Sequence, residues 1–164
     1  LVLPTEWQPH FDTIFEVPGW PEDPAYYLCV PSKTDETVAP EEHSNLFALV
    51  PIAPGLDDTP ELRERFRELV LDDIAENTGT ELRDRIVFEE TFCVSDFADR
   101  YNSYQGSALG LAHTLRQTAL LRPPHHSDAV DGLYFTGSTT TPGIGVPMCL
   151  ISGQITAERV GETH

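Results

Sequence analysis

The chain has 164 residues and a formal net charge of −17, from 27 acidic and 10 basic side chains. Such an acidic chain repels phosphate backbones, so we expect no nucleic acid partner. It has no apolar run of about 18 residues, and therefore no transmembrane helix is predicted. The acidic excess indicates a surface adapted to high salt, where counterions screen the repulsion between carboxylates. An ordinary acidic protein is the alternative.

The first half of the chain alternates apolar segments with turn-forming segments. Aromatic and β-branched residues predict strands at 10–18, 25–31 and 44–54, and a further strand at 85–93. The segment 60–78 has helical periodicity instead. Strands together with a helix predict an α+β or α/β lobe.

The helix at 60–78 has clear signals at both ends. Thr59 can act as N-cap, Pro60 suits the first helical position, and Gly79 is a natural terminator. The apolar stripe consists of Leu62, Phe66, Leu69, Val70 and Ile74. The solvated face is predicted to carry Arg63, Glu64, Arg67, Glu68 and Asp72. These features predict a helix that packs on the core through one face.

The second half has a different composition, which is rich in glycine, serine and threonine. Ser95 can begin a helix as its N-cap, with Asp96 near the positive end of the helix dipole. That helix is predicted to end at the segment 102–107. A short buried strand is predicted at 133–137, followed by a closing helix from about Val146.

The stretch LYFTGSTTTPGIGVPM at 133–148 joins that strand and helix through a turn almost free of bulky side chains. Gly137, Gly143 and Gly145 permit close approach to the main chain, and Pro142 restricts the turn. The helix start offers free N–H groups and a partial positive charge, which suit an electron-rich oxygen or an anion. A tight corner without a ligand is the alternative.

Four segments carry a resemblance to a known family: 106–111 (GSALGL), Gln117, 133–147 and 152–160. Together they resemble the C-terminal segment of the phytoene desaturase family, flavin-dependent carotenoid desaturases within the flavin amine oxidase-like superfamily. This chain departs from that pattern at two positions. It has Ser138 where alanine is common and Thr141 where histidine is common.

The resemblance implies the C-terminal part of a Rossmann-like flavoprotein that binds FAD. Residues 1–94 would form part of a substrate-binding lobe with mixed strands and a packing helix. Residues 95–164 would form the closing strand and helix of the FAD-binding domain. The cofactor-binding residues implied are Gly137, Ser138, Pro142, Gly143, Ile144, Gly145 and Val146. The first two would lie near the ribityl–phosphate portion, and the last four along the flavin ring.

The superfamily also binds ADP through a strand, a glycine fingerprint and a helix, and nothing in residues 1–132 supplies that unit. The chain begins without methionine, and we expect it to be a fragment that holds one side of a flavin site. Alone it should bind FAD weakly or not at all.

For the parent protein, the resemblance implies desaturation of an apolar polyene such as phytoene, with hydride passing from an allylic C–H to flavin N5. The catalytic base and the oligomeric state are not predicted. We expect the parent protein to be cytoplasmic, and its apolar substrate implies peripheral contact with a membrane surface. The alternatives are a carotenoid isomerase, a saturase or an amine oxidase of the same superfamily, or a non-enzymatic acidic interaction module.

Other residues with chemical potential have simpler structural interpretations. Arg116 and Arg122 could anchor an acid or meet a cofactor phosphate, but a surface ion pair is the plainer role. Tyr101 and Tyr104 could line a hydrophobic channel or pack in a core.

The histidines and cysteines are widely spaced, and no metal site is predicted. The histidines are interpreted as structural or solvated: His10, His43, His113, His125, His126 and His164. The cysteines are interpreted as small buried side chains in a reducing compartment: Cys29, Cys93 and Cys149.

Overall fold

The computed structural model describes residues 1–112, 114–118 and 121–163. It divides the chain into two compact units, Leu1–Gly106 and Ser107–His164. The sequence-based boundary between 94 and 95, and the roles assigned to the two parts, stay predictions. His113 and His164 lie outside the described residues.

The first unit combines three helices with a small sheet. The elements are α1 (Gln8–Phe15), β1 (Tyr27–Cys29), β2 (Phe47–Leu49), α2 (Pro60–Thr78) and α3 (Val94–Tyr101). The strands pair antiparallel, with Tyr27 opposite Leu49 and Cys29 opposite Phe47. The prediction of a mixed helix-and-sheet fold is therefore confirmed, and the strands predicted at 25–31 and 44–54 are present in shortened form.

Helix α2 forms as its local signals predict. The Thr59 hydroxyl accepts a hydrogen bond from Leu62 N at 3.3 Å, and Gly79 ends the helix in the left-handed conformation with φ of 69°. Val70 and Ile74 are buried against Tyr26, with other side chains of the predicted stripe around them. The core of this unit therefore forms where α2 contacts the segment leading into β1.

We expect Ile74→Ala to lower the free energy of unfolding by about 2–5 kcal/mol, because it leaves a cavity beside Tyr26. Chemical denaturation measures this change. Val87→Ala is the control, because Val87 is 82% exposed and should cost little. Equal losses in the two variants would contradict the position of the core.

Three strand predictions are wrong. Residues 10–18 lie mostly in α1, where Trp7, Phe11 and Phe15 make ring contacts at i,i+4 spacing along one helix face. Residues 85–93 form no strand, and Val87 and Phe88 are highly exposed. The predicted strand 133–137 makes only an isolated bridge between His126 and Tyr134. Aromatic and branched composition favours a strand only where a neighbouring backbone completes the ladder.

Helix α3 begins earlier than predicted. Its N-cap is Cys93 rather than Ser95, and Asp96 accepts a hydrogen bond from Cys93 N at 2.7 Å. The predicted position of Asp96 near the positive end of the helix dipole is confirmed, since it lies in the first turn of α3. Asn102, in the left-handed conformation, ends the helix where the sequence predicts it to fail.

An ion-pair cluster joins the start of α2 to the start of α3. The Arg63 guanidinium lies 2.7 Å from carboxylate oxygens of both Asp58 and Asp96. Asp58 also accepts a hydrogen bond from Ser95 N at 2.9 Å. The prediction that Arg63 belongs to a solvated face is wrong, because its side chain is only 22% exposed.

This cluster makes the stability of the first unit depend on pH. Burial alone would raise the pKa of Asp58, but hydrogen bonds from Ser95 N and Arg63 hold that pKa below its ordinary value of 3.8. A carboxyl group with a lowered folded pKa contributes stability above its unfolded pKa. That contribution is lost as the pH falls through the folded pKa.

Asp58→Asn should therefore destabilise the protein near neutral pH, and its deficit relative to wild type should shrink as the pH falls below about 3.8. Denaturation at several pH values measures that deficit. Asp57→Asn is the control, because Asp57 is the exposed neighbour outside the cluster. A deficit independent of pH would show that the Asp58 charge contributes nothing.

In the described residues of the second unit, loops and turns are joined to one long helix, α4 (Val146–Thr163). The predicted closing helix is thus confirmed, with the predicted start. Within the described ranges, no helix of either unit is both long enough and apolar enough to cross a membrane.

Candidate functional site

The turn at 137–145 connects the Tyr134 bridge to the start of α4. Gly137, Gly143 and Gly145 have φ of 112°, 128° and 116°, a region that side chains with a Cβ avoid. A Cβ at Gly137 would meet no atom within 4 Å, and one at Gly145 would only touch Pro147 and Met148 at 4.0 Å. The main chain is therefore open to close approach at both ends of the turn.

Ser152 fixes the start of the turn to α4. Its hydroxyl is fully buried and accepts a hydrogen bond from Gly137 N at 2.9 Å. It also lies 3.1 Å from Thr136 Oγ1 and 2.7 Å from Thr140 Oγ1. Thr140 donates its own proton to Gly137 O, so Ser152 donates to Thr140 and accepts the other two bonds. The hydrogen-bonding capacity of Ser152 is then fully used.

His125 fixes the later part of the turn. This buried side chain lies 2.9 Å from both Thr141 Oγ1 and Thr156 Oγ1, one at each ring nitrogen. The single hydroxyl proton of Thr156 is shared between the main-chain carbonyl groups of Phe135 and Ser152, which leaves its oxygen to accept from His125 Nδ1–H. The family-divergent Thr141 is thus part of this contact.

Arg122 contacts the same turn from the preceding segment. It is buried and donates to the carbonyl oxygen of Ser138 at 2.6 Å and to that of Gln117 at 3.0 Å. The interpretation of Arg122 as a surface ion pair is therefore wrong, because its side chain is buried and its acceptors are main-chain carbonyl groups. A role toward an acid or a cofactor phosphate stays a prediction. Arg116, by contrast, is exposed.

The start of α4 is the electropositive part of the site. The hydrogen bond from Cys149 N to Gly145 O, at 2.8 Å, opens the helical ladder. The N–H groups of Val146 and Met148 precede that ladder and have no intrahelical acceptor, while Pro147 has no N–H to offer. The helix start therefore presents donors to an electron-rich group.

A groove of about 480 Å³ lies against this helix start. It is lined by Ala108, Leu109, Ser138, Ile144, Gly145, Val146, Cys149 and Leu150. Four predicted cofactor-binding residues, Ser138, Ile144, Gly145 and Val146, thus come together. The other three, Gly137, Pro142 and Gly143, belong to the turn but do not line the groove, and Gly143 is buried.

The loop that closes the groove comes from the GSALGL segment. Gly110 N donates to Ser107 Oγ at 3.1 Å, which shapes the loop beside Ser138. Gly106, at the end of the first unit, has a different role: a Cβ there would lie 2.1 Å from Val94 O. The first glycine of the segment therefore serves packing, and the small residues after it shape the groove.

These residues fit one face and one edge of a flavin ring. The groove walls are mostly apolar, Gly145 leaves space for a flat group, and the donors are main-chain N–H groups of the α4 start. Apolar walls suit the faces of a flat heteroaromatic ring, and edge donors suit the acceptor atoms at its rim. The described residues contain no cluster of three or more His, Cys, Asp or Glu suited to a metal ion.

Sequence reasoning missed the side chains that hold the turn in place. Ser152, Thr140, Arg122 and His125 were not predicted to act on it, although His125 is structural as expected. The only signal for these four residues in the sequence is their type, because they are polar side chains within apolar or small-residue segments.

Of the remaining candidates that the structure describes, Cys149 lines the groove. The described cysteines are half-buried free thiols rather than buried side chains. Tyr101 and Tyr104 are 61% and 84% exposed and do not pack in a core. His10 is buried, and burial lowers its pKa against the attraction of Asp23.

Comparison with protein families identifies the class to which this chain belongs. Residues 4–161 match the family of flavin-containing amine oxidoreductases. The chain therefore belongs to this family, and the predicted flavin cofactor and oxidoreductase class are confirmed at family level. The match also favours the enzymatic interpretation over an acidic interaction module.

Three relatives narrow the resemblance to carotenoid enzymes. The chain is 73% identical over 162 residues to a carotenoid 3,4-desaturase of Haloarcula japonica, covering 99% of the chain and 33% of that protein. It is 35% identical to a phytoene desaturase of Neurospora crassa, covering 99% of the chain and 28% of the relative. It is also 35% identical to a 4,4'-diapophytoene desaturase (4,4'-diaponeurosporene-forming) of Staphylococcus haemolyticus, with coverage of 99% and 33%.

The chain spans about a third of the length of these relatives. The predicted resemblance to carotenoid desaturases is confirmed, and the halophilic interpretation of the acidic surface is consistent with the Haloarcula relative. The predicted placement in the C-terminal portion of a longer protein is not confirmed by these matches and stays a prediction.

Ser152→Ala should lower the free energy of unfolding by about 1–3 kcal/mol, because Gly137 N and Thr140 lose a buried partner. It should also accelerate hydrogen exchange of the Gly137 amide. Denaturation and amide exchange measure the two effects. Gln154→Ala, at an exposed position of α4, is the control. Unchanged Gly137 exchange would show that Ser152 does not hold the turn.

Proposed function

We propose that this chain supplies one wall of the flavin site in an FAD-dependent carotenoid desaturase. The observation that carries the proposal is the position of the apolar groove at the start of α4, with Ser138, Ile144, Gly145 and Val146 in its walls. Family membership supplies the cofactor class, and the carotenoid desaturases among the relatives supply the substrate class.

FAD, when bound, would supply hydride acceptance from an allylic C–H of the polyene. The contribution of this chain is binding and electrostatics. The N–H groups of Val146 and Met148 would donate to acceptor atoms of the bound ring and would stabilise negative charge there, without reorganisation. Ile144, Leu109 and Leu150 provide apolar contact and exclude water from that edge.

The exposure of the groove walls supports this arrangement. Val146 and Leu150 are 77% and 72% exposed, and Leu109 is 62% exposed. Three large apolar side chains around one groove gain stability when a flat apolar surface covers them. A flavin ring offers such a surface together with acceptor atoms for the helix start.

The relatives favour a particular desaturation within the class. Identity to the carotenoid 3,4-desaturase is 73%, against 35% to the phytoene desaturase. We therefore place carotenoid 3,4-desaturation ahead of desaturation of phytoene itself. Each added double bond extends the conjugated system, so either reaction shifts the absorption of the polyene to longer wavelength.

The test uses the intact flavoprotein that contains this chain. Wild type should carry bound flavin, and Gly145→Val should lose most of it, because a branched side chain at φ of 116° disturbs the groove and the helix start. Absorption of the purified proteins measures flavin content. Gly161→Ala, in α4 with open space around it, should keep wild-type content.

The substrate is tested by incubating wild type with phytoene or with a carotenoid saturated at the 3,4 bond. A product with red-shifted absorption from either substrate supports desaturation, and the faster substrate assigns the subclass. Wild-type protein without flavin, or Gly145→Val with full flavin content, would contradict the proposed function.

A further inference from the structure

Arg122 is a buried cation that pairs with no carboxylate in the part of the chain that the structure describes. Its side chain is 4% exposed. A charge removed from water is tolerated only when polar groups replace the lost hydration. Main-chain carbonyl oxygens replace the lost hydration of Arg122, and the backbone segments that carry them indicate its role.

Three carbonyl oxygens surround the guanidinium. Nη1 donates to Gln117 O at 3.0 Å, and Nη2 donates to Ser138 O at 2.6 Å, with Leu111 O at 3.5 Å from the same nitrogen. These carbonyls come from three separate backbone segments of the second unit. Because the guanidinium is planar and rigid, it fixes the directions of its acceptors relative to one another. Arg122 thus cross-links three parts of the backbone: the end of the groove loop at Leu111, the segment at Gln117, and the turn at Ser138.

Ser138 connects this cross-link to the groove. Its carbonyl accepts the short hydrogen bond from Arg122, while its side chain lines the groove beside the loop at Gly110. A Cβ at Gly110 would lie only 3.3 Å from Ser138 Oγ, so the two walls are in close contact. A shift of the Ser138 peptide therefore moves the wall against which the ring would lie.

We propose that Arg122 is a positioning residue that holds the Ser138 carbonyl and thereby sets the shape of the flavin groove. This inference rests on the proposed function for its ligand, but the contact with Ser138 does not. Arg122 acts through the backbone and touches no reacting atom. Its planar fork, and not only its charge, is required, because two nitrogens serve acceptors in different segments.

The test compares three variants of the intact flavoprotein: Arg122→Met, Arg122→Lys and Arg116→Met. The measurements are the Kd for FAD and the position of the bound flavin absorption bands, both well below the unfolding temperature. Arg122→Met should weaken FAD binding about tenfold or more and shift the bands, as loss of hydrogen bonds from a charged group predicts. Arg116→Met removes one positive charge from the same segment at an exposed position, and should leave both readouts unchanged.

Arg122→Lys keeps the charge but lacks the fork, and it should retain the fold with intermediate FAD affinity. It also tests the proposal if Arg122→Met does not fold. Wild-type affinity and wild-type bands in Arg122→Lys would overturn the requirement for the fork. Equal losses in Arg116→Met and Arg122→Met would overturn the role of the carbonyl contacts, because net charge would then explain both.

A readout without cofactor separates this inference from the proposed function. Selective carbon labelling of Ser138 reports the hydrogen bond at its carbonyl through the chemical shift. Arg122→Met should move that shift, and Arg116→Met should not. Wild-type protein that binds no FAD would refute the proposed function, whereas an unmoved Ser138 carbonyl shift in Arg122→Met would refute this inference alone.

Discussion

The hydrogen bond from Gly137 N to the buried Ser152 hydroxyl is the contact on which the groove depends. It joins the first glycine of the turn to the second turn of α4, so the two ends of the connection cannot separate. Thr140, held by the same hydroxyl, fixes the middle of the turn. The helix start can then meet a ligand in a defined position without reorganisation, which is what electrostatic stabilisation requires.

The parts of the fold that could be predicted have their signals close together in the chain. Helix α2 follows from Thr59, Pro60 and Gly79, all at or next to its ends, and the closing helix follows from the glycine turn before it. Strand formation depends on a distant neighbour, so composition alone misassigned 10–18 and 85–93. The glycines and helix start of the site were predictable for the same local reason. The contacts of Arg122 and His125 with the turn were not, because they join residues 16 positions apart.

The charge of the chain is compatible with main-chain donors in the proposed site. With 27 acidic and 10 basic residues, the surface offers few cations, and dissolved salt screens exposed charges over a few ångströms. The N–H groups of a helix start lie at the end of a fixed dipole and need no mobile charged side chain. In an apolar groove covered by a ring, they are screened less than a surface lysine would be. A strongly acidic surface is therefore compatible with the proposed site, in which main-chain donors face the acceptor atoms of a ring.

The same reasoning explains why a buried arginine belongs beside such a site. An exposed cation would lose its influence at high salt, but Arg122 is shielded from solvent, and its two terminal nitrogens donate to peptide oxygens. The carbonyl oxygens of Gln117 and Ser138 accept from it at 3.0 Å and 2.6 Å, so movement of either segment costs hydrogen-bond energy. The charged Arg122 side chain thus holds the backbone of the second unit in place. The N–H groups of the α4 start, held by that backbone, then supply the positive potential at the groove. A substitution that kept the charge but lost the planar geometry would separate these two contributions.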